Sequence, residues 1–115
     1  MKVNITPELV AATYDMLCQT APFKGWGLPP SDDVRITVMR TREFYADCSR
    51  NEKGEYHLRV SQVKQRSLFF LIMTVAHEMV HIREAQTGGN PSHGAAFRKL
   101  AMQVCRTHGF DPGAF

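Results

Sequence analysis

HEMVHIREAQTGGNPSHGAAF, residues 77–97, gathers three of the chain's five histidines and one glutamate in an order that suits a metal ion. Residues four apart on a helix lie about 40° apart around the axis and one turn along it, so their side chains can converge. His77 and His81 have that spacing, and imidazole nitrogens bind zinc at about 2.0 Å. Glu78 falls about 100° round the helix from His77. From there it reaches a water on the ion rather than the ion itself, the place of the general base in an HExxH arrangement.

A catalytic zinc usually takes three protein ligands and keeps a fourth position for water or substrate. His93 is the best candidate for the third, because the GGNPS break lets the chain reverse and the cap of the next helix brings it back. The weaker rivals are Glu84, seven residues after His77, then His57 in a strand-like run and His108 at the end of the last helix. The bland alternative is a chance HExxH on an ordinary helix. Against it, the motif follows the apolar run SLFFLIMTVA, and imidazoles and a carboxylate are costly to bury unless something satisfies them together.

The elements that must position these groups are readable from capping and periodicity. Thr6-Pro7-Glu8 looks like a helix start, with Thr6 as N-cap, Pro7 first inside and Glu8 at the positive dipole end. Ile5 and Val10 are spaced for a hydrophobic staple. Leu9, Ala12, Thr13, Met16 and Leu17 are expected to form the buried face. Gly25, Gly27, Pro29 and Pro30 then make a loop around Trp26. VRITVM, EFYADCS and YHLRVS alternate as half-buried strands, and NEKG (51–54) between the last two suits a hairpin. Residues 67–87 read as a long helix, apolar nearly all round at first and therefore central. Gly88 and Gly89 end it, and Asn90-Pro91 blocks resumption. Ser92 is placed to cap a last helix with the stripe Phe97, Leu100, Ala101, Val104 and Cys105, closed by Gly109. The expected fold is α+β: a helix, a three-stranded antiparallel sheet, then two helices.

One domain spanning 1–115 accommodates all of this. A composition of 43% hydrophobic and 22% charged residues is ordinary for a globular protein, and a formal charge of +3 permits an anionic partner without requiring one. Cys18, Cys48 and Cys105 contain no CxxC pair, which removes a thiolate zinc knuckle and any disulfide framework. MKVNITPELV lacks an apolar core for a secretory signal. SLFFLIMTVA is shorter than the roughly 20 residues needed to cross a bilayer. A cytoplasmic, reducing location is the expectation.

HEMVH, a short linker and HGAAF resemble the SprT-like zinc metallopeptidases, whose eukaryotic members include the DNA-dependent protease Spartan. The passage GLPPSDDVRITV is also similar, though less specific, so the resemblance runs from about residue 27 to 105. It implies a zincin-like minimal metalloprotease core, with Zn2+ held by His77, His81 and His93, Glu78 as the catalytic base, and Phe97 as a packing aromatic. Many family members carry a cysteine-rich zinc ribbon or other tails after this core, and none is expected before Phe115, so the chain would be the catalytic core alone.

The function so implied is zinc-dependent hydrolysis of peptide bonds, with a protein or peptide substrate, DNA as a candidate partner and no membrane. The substrate could add as a strand along the sheet edge. The alternative is a zinc-stabilised nucleic-acid- or protein-binding module without proteolysis; an intact Glu78 argues against it, since a structural site needs no base. Tyr45, His57 and Arg59 are candidates for stabilising developing charge, although packing or solvated strand residues are commoner at such positions. Trp26 fits a core cover better than a cleft wall, and Gly94 fits a helix start or a close approach. The basic groups Arg40-Thr41-Arg42, Lys64 with Arg66, and Arg98-Lys99 read first as solvated faces.

Overall fold

The computed structural model describes residues 4–88 and 93–115. Helix α1 (Pro7–Cys18) starts as its sequence dictates: Thr6 Oγ1 accepts from the Leu9 N–H at 3.1 Å, and Ile5 and Val10 are both buried across the cap. Its inner face is Val10, Thr13, Tyr14 and Leu17, whereas Ala12 and Met16 face out. The expected face was thus rotated. Val10 and Tyr14 take the interior, and the Tyr14 hydroxyl donates to the Pro29 carbonyl at 2.6 Å, tying α1 to the loop before the sheet.

The sheet consists of β1 (Val34–Met39), β2 (Ala46–Arg50) and β3 (Tyr56–Ser61). Its order is β1-β3-β2, with β1 parallel to β3 and β2 antiparallel to it. The expected all-antiparallel sheet is therefore corrected to a mixed one. The hairpin is local and forms as read: Asn51 Oδ1 accepts from the N–H groups of Lys53 and Glu55, and Gly54 takes φ +81°, where a side chain would be strained. The six-residue passage 40–45, too long for a tight turn, instead carries the chain across the end of the sheet, which leaves the centre to β3. That strand earns the central place by burial, since Tyr56, Leu58, Val60 and Ser61 are all covered. The second strand also begins later than expected. Its lead-in, Glu43–Tyr45, lies outside it, and the Tyr45 carbonyl accepts from the Ser61 N–H and from Gln65 Nε2.

Helix α2 (Leu68–Gln86), capped by Ser67 Oγ on the Phe70 N–H, packs on β2, α1 and α3 (Ala95–His108). Ten of its residues are buried, from Leu71 to Glu84, so it is the central helix its composition demands. Along α3 the residues Phe97, Ala101, Val104 and Cys105 face the core, and Gly109 ends it in the left-handed conformation at φ 75°. The proposed stops at Gly89 and Asn90-Pro91 and the Ser92 cap lie outside the described residues; Gly94 occupies the N-cap position. All three cysteines are free. Among the described residues no helix is long and apolar enough to cross a membrane.

Candidate metal centre

The inner half of α2 delivers His77 and His81 to one side, and the start of α3 delivers His93 against them. One nitrogen from each of the three side chains lies within 4.8 Å of the others. His93 Nε2 stands 3.1 Å from His77 Nε2 and 3.2 Å from His81 Nε2. Nitrogens bound at about 2.0–2.1 Å to a tetrahedral ion are separated by about 3.3 Å. Both distances to His93 are close to that separation, and all three nitrogens lie within 4.8 Å of one another.

Hydrogen bonding on the far side of two rings sharpens the fit. His77 Nδ1 meets the backbone oxygen of Phe115 at 2.9 Å, and His81 Nδ1 meets Glu84 Oε1 at 2.9 Å. A backbone oxygen and an ionised carboxylate can only accept, so both bonds call for the proton on Nδ1, which leaves each Nε2 presenting a lone pair. His93 can donate one proton to one of them. The other lone pair lacks a donor within the cluster, and a cation is the partner that satisfies all three nitrogens at once.

Phe97, nearly buried at 5% exposure, forms the floor. Its ring centroid lies 4.9, 4.6 and 4.8 Å from those of His77, His81 and His93. A rigid aromatic against all three imidazoles limits their rotation. Phe115 closes the side nearest His77, with ring centroids 5.2 Å apart.

Glu78 is buried beside His77, yet its side chain borders an open cleft of about 540 Å3. No group among the described residues hydrogen-bonds its carboxyl. Burial, helped by the charge of Asp47, pushes its pKa up to about 8, while burial and the neighbouring His81 push His77 down to about 4. Without a cation the Glu78 carboxyl and the His77 imidazole both resist charge. A bound cation would favour both the carboxylate and the neutral imidazole.

The cleft runs from His77 and Glu78 to the passage before β2, between Tyr45 and Phe70. Those two rings are 5.2 Å apart, with Lys64 Nζ 4.0 Å from the Tyr45 centroid and the Arg66 guanidinium 5.1 Å from that of Phe70. Tyr45 thus stands on the cleft wall. The other two charge-stabilising candidates do not. His57 shares a 2.8 Å hydrogen bond with the Thr37 hydroxyl, Arg59 pairs with Asp47, and neither lines the cleft. Alternation along β3 explains this: Tyr56, Leu58 and Val60 face the helices, so His57 and Arg59 take the opposite face.

The rival ligands also separate. His108 Nε2 contacts the Thr20 hydroxyl and the Ala21 carbonyl, bracing α3 against the end of α1. Trp26 covers the core, packed on Phe23 with its carbonyl accepting from Arg83. Arg40, Thr41 and Arg42 line a separate hollow of about 230 Å3 with Val63. Two contributors escaped the sequence reading. Glu84 was weighed only as a ligand seven residues from His77, although its i,i+3 relation to His81 was the telling one. Nothing in the sequence signals that the Phe115 backbone would reach His77.

A model of the SprT-like family matches residues 15–113. No curated protein and no solved structure gives a significant match. With most of its length matched in this way, the chain belongs to the SprT-like family.

Proposed function

We propose that this chain is a zinc-dependent peptidase with a minimal zincin-like core, in which His77, His81 and His93 hold the ion and Glu78 is the general base. The observation that carries the reading is the convergence of His77 and His81 Nε2 on His93 Nε2, at 3.1 and 3.2 Å, beside a buried carboxyl that opens onto a cleft. Zinc held by His77, His81 and His93 would supply Lewis acidity for a water and a carbonyl.

The protein's own groups do the rest. Phe97 and the Nδ1 partners hold the imidazoles in one orientation. Glu78, with no competing hydrogen bond, accepts the proton of the attacking water and returns it to the leaving amine. The cleft borders the approach to β2, which is an edge strand, so an extended peptide can pair there while its side chains meet Tyr45 and Phe70. Lys64 and Arg66 supply positive charge on the cleft wall, and Arg40 and Arg42 add more at the separate hollow beside Val63. Among the described residues none of the four is ion-paired. That supports DNA as a second partner, and binding to single-stranded DNA should then weaken steeply as salt rises.

The test is cleavage of casein by the zinc-loaded chain and by Glu78→Gln. Cleavage lost with zinc retained supports the reading. Cleavage that survives the substitution overturns the role of Glu78, and zinc binding with no cleavage by the parent chain favours a binding module.

A further inference from the structure

Only two carboxylates are buried among the described residues, Glu78 and Glu84, and both sit on α2 beside the histidine cluster. Glu78 faces the cleft. Glu84 does not line it; 4% exposed, it lies behind His81 with Oε1 2.9 Å from Nδ1. Arg83, its neighbour in the chain, and Arg50, which reaches the next residue, bond elsewhere. Arg83 donates to the Trp26 carbonyl, and Arg50 donates to the Ala85 carbonyl. His81 is its single ion-pairing partner among the described residues. A buried carboxylate without a lysine or arginine is costly to fold around, so its charge calls for another compensation.

We infer that Glu84 is a positioning residue of the metal centre, holding His81 in the Nδ1–H tautomer and supplying negative charge behind the ligand shell. The inference rests on the reading of the three histidines as ligands. Three neutral imidazoles contribute no charge, and Glu78 and Glu84 are the buried carboxylate side chains at hand to offset that of a dication. The two carboxylates divide the work: one faces the substrate side, and the other stands behind the ligand shell. In sequence terms the signature is a glutamate three residues after the second histidine, HEMVHIRE.

Zinc dissociation constants of the full chain, measured by competition with a chromophoric chelator, test this with Glu84→Gln and Glu84→Ala. Removing such a partner weakens metal binding about 10- to 100-fold. The expected order is parent tightest, Gln intermediate because it keeps an acceptor oxygen without the charge, and Ala weakest. Imidazole 15N spectra of the metal-free chain give a second readout that a merely structural role would not move. His81 should be the Nδ1–H tautomer in the parent and in Glu84→Gln, and lose that preference in Glu84→Ala, while His77 stays unchanged. Should Glu84→Ala fail to fold, the parent spectrum and the Gln variant still decide. Unaltered zinc affinity in both variants overturns the inference even if His81→Ala abolishes binding. An Nε2–H tautomer for His81 in the parent overturns it independently of whether the chain binds zinc at all.

Discussion

The five histidines fall into two groups that differ in surroundings and not in chemistry. His57 and His108 each meet a hydroxyl, and His108 a carbonyl as well, and their rings brace one strand to another and one helix end to another. His77, His81 and His93 turn their Nε2 atoms towards a common centre, above an aromatic floor and beside the two buried carboxylates. A histidine that finds an ordinary partner is finished with hydrogen bonding. A trio whose lone pairs point at one another is not, and this unfinished valence marks the site.

The contrast breaks most sharply in catalysis. Glu78→Gln should lower peptide cleavage by about 10²- to 10⁴-fold, whereas His57→Ala, on the far face of the sheet, should leave kcat/KM within a factor of about two. Equal losses in the two variants would mean that the clustered and the bracing histidines share a function.

Packing separates the groups next. Phe97→Ala removes a ring that contacts all three clustered imidazoles. It should cost about 3–5 kcal/mol in chemical denaturation of the metal-free chain, and weaken zinc binding as well. A loss of stability with full zinc affinity retained would show that the floor packs the core without orienting the ligands.

The metal-free protein should also reveal the two buried groups through pH. Glu78 has its folded pKa raised to about 8, so its favourable contribution is complete below the unfolded value near 4.5 and is lost as pH rises towards 8. His77 has its folded pKa lowered to about 4, so its contribution is complete above the unfolded value near 6.5 and is lost as pH falls. Between about pH 6.5 and 8 the Glu78 effect acts alone of these two, and stability should decline by an order of a few kcal/mol. Denaturant midpoints across that window should flatten in Glu78→Gln; an unchanged slope would place the titration elsewhere.

The smallest effect belongs to the outer sheet face. The Arg59–Asp47 pair is 38% exposed on each side, and water screens it. A double-mutant cycle should return a coupling close to zero. A much larger value would mean that this face is covered in the working protein.

Much of this was legible because it is local. A cap needs one hydroxyl and three residues, a hairpin needs Asn51 and Gly54, and an HExxH pair needs one helical turn. Strand order was not legible, since β1 must choose between β2 and β3 as its neighbour and nothing within VRITVM encodes the choice. The α1 face was misread because Ala12 and Met16 fit an apolar period as well as Val10 and Tyr14 do; packing against Pro29 and the sheet decided between them. Glu84 could have been found from its spacing to His81. The Phe115 contact arises only when the last residues fold back over α2, which no motif announces.

Elemental analysis after exhaustive dialysis tests the central claim most directly, on the parent chain, His93→Ala and His108→Ala. The account predicts one zinc per chain in the parent and in His108→Ala, and loss of tightly held zinc in His93→Ala. Full zinc retained in His93→Ala, or a parent chain that holds none, would contradict it.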